Sequence, residues 1–287
     1  MGCISDTQRS ARTQRSGVRF PHFISLHLPM LIIPSLYIEK GRTVSLYKGE
    51  ENEQKTVYNK SPLNVAKSFE KQGASLIHII DIDASRGQGS NNLDLIKKIV
   101  NELKIPIEIG GGIRTLANIE ALFSVGVKRV VLGVSAEPIL EEALKKYGPD
   151  RIVLGIKARK SFVESDNLPP DSDEVLEVAE KALAKGVRYM VYKDLEREGT
   201  LFHPNYDEIE RLLFFLGGKA KIFSSGGVTT LEDLSILRNL GATGVLVSRA
   251  LLEYKIDLKE AIRYCETPED KLFALALGNP GKPQCIR

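Results

Sequence analysis

Gly110-Gly111-Gly112-Ile113-Arg114-Thr115-Leu116 and Ser225-Gly226-Gly227-Val228-Thr229-Thr230-Leu231 are two copies of one design, about 115 positions apart. The register extends past the glycines, because Leu122 matches Leu237, Gly126 matches Gly241 and Val130 matches Val245. In each copy an apolar run enters the glycines and a helix-length segment follows. A second apolar run closes the unit, Val130-Val131-Leu132 in one and Val245-Leu246-Val247 in the other. Strand, glycine turn, helix and strand in that order form a βαβ unit. Two such units in matching register predict a barrel made of two similar halves.

Outward from these units, strands and helices alternate. Strands are predicted at residues 31–37, 76–81, 105–109, 129–132, 152–156, 188–192, 221–223 and 244–247. Amphipathic segments lie between them, among them 62–72, 92–103, 174–185 and 206–216, with apolar residues at three- and four-residue spacing. Short continuous apolar strands suit a parallel sheet buried on both faces. Gly73 and Asp81 also match Gly186 and Asp194, so the second strand corresponds to the sixth, and the first likewise matches the fifth. The expected fold is α/β, a (β/α)8 TIM barrel with a two-fold internal repeat. Its active site belongs at the C-terminal ends of the strands.

The glycines suggest what such a site holds. Without a Cβ, a Gly-Gly turn lets successive N–H groups approach an anion, and the following helix N-terminus adds partial positive charge. Each half then offers a phosphate cradle. Gly111, Gly112 and Arg114 face a second small-residue turn at Gly133 and Ser135; Gly226 and Gly227 face Ser248 and Arg249. The alternative for each turn is a tight strand-to-helix connection with no ligand, and for each arginine a surface position.

Size and composition agree with this class. The chain has 287 residues, 43% of them hydrophobic, and a net charge of +3 from 40 basic and 37 acidic side chains. About 250 residues make one such barrel. The charges are interspersed, without the basic block of a nucleic-acid binder. No apolar run reaches the roughly 20 residues needed to span a bilayer. Cys3, Cys265 and Cys285 are far apart, without metal-ligand spacing or a disulfide framework. The four histidines form no metal constellation. The expectation is a cytoplasmic monomer or small homo-oligomer that takes a phosphorylated small molecule and needs no metal or cofactor.

Residues 30–266 are expected to form the barrel and 267–287 a C-terminal tail. Residues 1–29 read as a disordered tail: Arg9, Arg12, Arg15 and Arg19 alternate with polar residues, and Asp6 is the only acid. Three readings are open. The segment is an organelle transit peptide, a myristoylation signal at Gly2 that has Asp6 where the motif wants Ser or Thr, or the product of a start placed ahead of Met30.

From Met30 to about Glu266 the chain resembles the histidine-biosynthesis barrels, specifically the ProFAR isomerase (HisA-like) family. The resemblance is carried by Ile32-Ile33-Pro34, Val44 to Gly49, Thr56-Val57-Tyr58, His78 to Asp83, Gly110 to Thr115, Arg197 to Leu201 and Ser225 to Leu231. It implies an Amadori rearrangement of an aminoaldose ribotide to an aminoketose, on a substrate with a phosphate at each end.

The family pattern fails where the chemistry is done. The resemblance implies an Asp general base at the end of strand 1 and an Asp general acid at the end of strand 5. Here those positions hold Tyr37 and Lys157. A family Thr at the end of strand 6 and an Asp in the following loop correspond to Lys193 and Glu198. The family tryptophan after strand 5 is missing, and the turn-rich Asp166 to Asp171 stands in its place. Asp81, Asp83 and Asp194 lie near strand ends on the same rim. Each positioned acid or base contributes roughly 10²- to 10⁴-fold, so losing two costs on the order of 10⁴ to 10⁸.

The leading expectation is therefore a diverged paralogue that binds a doubly phosphorylated ribotide. Three alternatives stand beside it: an isomerase working through substitute carboxylates, a Schiff-base lyase or aldolase using Lys157 or Lys193 on a phosphosugar, and a non-catalytic ribotide-binding regulator.

Overall fold

The computed structural model describes residues 30–49, 55–87, 92–166, 168–169 and 171–266. Both tails, and with them the readings of residues 1–29 and 267–287, lie outside the described residues. Eight parallel strands close on themselves: β1 (Leu31–Glu39), β2 (Ile77–Asp81), β3 (Ile107–Gly110), β4 (Arg129–Gly133), β5 (Ile152–Arg159), β6 (Tyr189–Asp194), β7 (Lys221–Ser225) and β8 (Gly244–Val247). The last seam pairs Leu31 with Gly244 and Pro34 with Val247. A (β/α)8 barrel results, with helices such as Pro62–Lys71, Leu93–Glu102, Val175–Ala184 and Tyr206–Leu216 packed outside.

Strand alternation sorts the core into two layers. Ile32, Val130, Leu132, Ile152 and Leu154 point out to the helices. Leu31, Ile33, Val131, Val153, Val191 and Leu246 fill the interior. Charge joins this interior low in the barrel. Arg129, fully buried, donates from Nε to Glu108 at 2.6 Å and lies over the Tyr189 and Phe223 rings. Glu108 also meets Nδ1 of His78 at 2.7 Å. Burial raises the Glu108 pKa, but the Arg129 charge and the His78 hydrogen bond outweigh it and hold the carboxyl down at about 2.

Several strands run further than their apolar sequence predicts. β1 continues past Tyr37 to Glu39, because it turns into an antiparallel hairpin with Arg42–Ser45 and Thr56–Tyr58. β5 continues to Arg159, where it pairs with Phe162–Val163. β6 continues to Asp194, which makes Lys193 a strand residue flanked by Lys157 of β5 and Ser225 of β7. Backbone pairing with the neighbours carries these polar ends, whereas apolar patterning marks only the part that packs.

Candidate active site

The two glycine turns are built alike. Gly111 and Gly226 have φ of 105° and 106°, in the region that favours glycine. A Cβ on Gly111 would collide with the Asp81 carbonyl, and one on Gly226 with the Asp194 carbonyl. Added to Gly112 or Gly227 it would strike the carbonyl of Ala84 or His203. Each turn leads into a helix closed by a reciprocal capping box, Thr115 with Asn118 before Leu116–Ser124 and Thr230 with Asp233 before Leu231–Leu240. Arg114 therefore precedes the cap of its helix.

Two adjoining cavities open at the C-terminal ends of the strands. The larger, about 530 Å³, is lined by Gly111, Gly112, Arg114, Gly133 and Ser135, together with His78, Lys157, Glu164, Asp166 and Lys193. The smaller, about 40 Å³, is lined by Gly226, Gly227, Ser248 and Arg249, with Ser35 and Ser45. Tyr37, Leu46 and Glu198 line both. In the smaller cavity the buried hydroxyls of Ser35 and Ser248 have no hydrogen-bond partner among the described residues. A guest with acceptor oxygens would satisfy them.

The wall between the cavities is a closed network. Tyr37 Oη donates to Glu198 Oε1 at 2.5 Å, and Lys193 Nζ donates to Tyr37 Oη at 2.8 Å and to Glu198 Oε1 at 3.0 Å. All three side chains are buried. Burial, then the Glu198 charge and its hydrogen bond, raises the Tyr37 pKa well above a phenol's usual value. Burial would also raise that of Glu198, but Lys193 and the Tyr37 hydroxyl overcome it and the net direction is down. For Lys193, burial lowers the pKa against the pull of Glu198, and the charge of Lys157 lowers it further. Lys157 itself is exposed in the larger cavity.

The two arginines beside the cradles already have partners. Arg114 meets the Asp166 carboxylate at 2.5 Å. Arg249 donates to Glu253 at 2.7 Å and to the Gly199 carbonyl at 2.5 Å.

Asp81, Asp83 and Asp194, placed on the pocket rim by the sequence, are buried behind the cavity linings. Asp81 caps the short helix Ile82–Ser85 at Ala84 N and takes Asn92 Nδ2 at 2.8 Å. Asp194 takes Arg197 N and Asn205 Nδ2 at 2.8 Å. Asp83 lies in the Ile82–Ser85 helix and binds Lys40 N and Asn92. The helix, not the strand, sets its direction, since the strand ends at Asp81.

Sequence reading missed Asn92 and Asn205, although each follows its aspartate by the same 11 positions. It also missed His78, Glu108 and Arg129, whose signal was a charged or polar residue inside an apolar strand.

The sequence model of the family described as histidine biosynthesis protein matches residues 31–257. A 1-(5-phosphoribosyl)-5-((5-phosphoribosylamino)methylideneamino) imidazole-4-carboxamide isomerase of Alkaliphilus metalliredigens is 38% identical over 233 residues, covering 80% of this chain and 97% of the relative. The isomerase of the same name from Bacillus mycoides is 36% identical over 238 residues, 82% of this chain and 98% of its own. With a matching barrel and near full-length coverage of these isomerases, the chain belongs to the histidine biosynthesis protein family.

Proposed function

We propose that this protein binds a ribotide with a phosphate at each end, one in each glycine cradle, and that it has lost the isomerisation its relatives are named for. The names of those relatives contain two phosphoribosyl groups, which suits two cradles on one barrel rim. Backbone N–H groups at the glycine turns and the N-termini of the helices Leu116–Ser124 and Leu231–Leu240 supply the anion affinity. Ser35 and Ser248 add unpaired donors on the smaller side.

The observation that carries the loss is the Tyr37–Lys193–Glu198 network. The family's general-base position is a phenol with a raised pKa, tied to the one carboxylate that lines both cavities. The general-acid position is Lys157, which has no carboxyl proton to give. An acid/base pair that cannot act forfeits on the order of 10⁴ to 10⁸ in rate.

Complementation of a histidine auxotroph lacking the isomerase tests this. The unmodified chain should not restore growth, whereas Tyr37→Asp with Lys157→Asp should restore it at least in part. Growth on the unmodified chain would mean that Glu198, Glu164 or another carboxylate does the chemistry, and the loss would be disproved.

A further inference from the structure

We propose that Lys193 is an imine-forming nucleophile for a phosphorylated carbonyl compound held in the larger cavity. The inference rests on the reading that the cradles hold phosphate. It deepens that reading by assigning a covalent step to a lysine that the isomerase chemistry does not use.

A lysine attacks a carbonyl only as the free amine. It reaches that form near neutral pH when it is desolvated or set beside another cation. Lys193 has both conditions. It is 8% exposed inside the barrel, and its Cα partner across the sheet is Lys157. It lines the cavity that contains Gly111, Gly112, Gly133 and Ser135, so a phosphate in that cradle would bring the rest of its carrier toward Nζ. Lys157 is the weaker candidate because it is exposed and solvated.

The neighbours complete a proton path. Glu198 Oε1 is 3.0 Å from Nζ and Tyr37 Oη is 2.8 Å away, and these two are joined at 2.5 Å. Glu198 takes one proton from the ammonium and passes it to the carbonyl oxygen as the nitrogen lone pair forms the C–N bond. The carbinolamine nitrogen then gives Glu198 a second proton. Glu198 hands it to the hydroxyl, which leaves as water while the C=N bond closes. Of the three ammonium protons, two leave in water and one stays on the iminium, and no oxidant or reductant is consumed. Tyr37, held protonated by burial, orients both partners.

The full chain is incubated separately with ribose 5-phosphate, ribulose 5-phosphate and dihydroxyacetone phosphate, each with borohydride, and the labelled peptide is identified by mass. The expected result is a reduced adduct on Lys193 with at least one of the three. It should be lost in Lys193→Arg, which keeps the charge, formed more slowly but still on Lys193 in Lys157→Met, which removes the neighbouring cation, and suppressed by ribitol 5-phosphate, which has the phosphate but no carbonyl. Mapping on the unmodified chain keeps the result independent of whether a variant folds. No adduct, or adducts only on other lysines, overturns the proposal. Calorimetry with ribitol 5-phosphate separates the two failures: binding without an adduct leaves the phosphate reading standing and removes the imine, and no binding removes both.

Discussion

Glu198 Oε1 accepts from both the Tyr37 hydroxyl and the Lys193 ammonium inside the barrel mouth. A buried carboxylate without partners is costly, so each donor contributes by sparing that cost. Tyr37→Phe keeps the ring that lies 4.8 Å from Lys193 Nζ and removes only the hydroxyl. Hydrogen bonds to charged groups contribute about 1.5–3 kcal/mol. Urea unfolding of Tyr37→Phe should show a lower midpoint with an unchanged slope, corresponding to a loss in that range. An unmoved midpoint would mean that the network is replaced by solvent at no cost. The participants were legible one by one, because strand ends and the family pattern picked out Tyr37, Lys193 and Glu198. Their mutual contact was not, since Tyr37 and Glu198 are separated by 161 positions and only barrel closure joins them.

At the scale of the element, the strand–turn–helix unit is the part that sequence conveyed best. β8 falls on the predicted residues, and the helix Tyr206–Leu216 has the predicted bounds. Glycine runs, capping residues and apolar spacing are all local signals, and local signals mark these units. The strand ends were less legible because β1, β5 and β6 continue on backbone pairing with polar side chains. The capping boxes give a paired prediction. Thr115 accepts from Asn118 N, and Thr230 accepts from Asp233 N, both at 3.2 Å. An N-cap threonine contributes about 1 kcal/mol. Thr115→Ala and Thr230→Ala should each lower stability by about that much, and the double variant by the sum, because distant sites add to within about 0.5 kcal/mol. Chemical denaturation of the three variants decides it, and a double variant no worse than either single would show that the units are not independent.

For the molecule as a whole, barrel closure has two consequences, one for stability and one for binding. It seals Glu108 between Arg129 and His78. The folded pKa of about 2 lies below the ordinary 4.5, so the unfolded chain binds more protons between those values. The stabilisation is complete above about 4.5 and is lost as pH falls toward 2. Glu39, Glu198 and Asp233, also lowered, act in the same direction. Stability should therefore fall on acidification through this window, and Glu108→Gln, less stable at neutral pH, should show a shallower fall when both are followed by denaturant titration at each pH. For binding, a closed barrel fixes the two cradles on one rim with Tyr37, Leu46 and Glu198 between them. A ligand anchored at one end then meets the second cradle as an intramolecular event, and linkage of this kind raises affinity by about 10²- to 10⁴-fold when the geometry permits both contacts. Calorimetric titration should give the doubly phosphorylated ribotide an affinity higher by about that factor than ribose 5-phosphate, with the gain abolished when a Cβ that strikes a neighbouring carbonyl distorts either turn, as in Gly112→Ala or Gly227→Ala. Equal affinities for the two ligands would leave one working cradle, and the second glycine turn would then be only a connection between strand and helix.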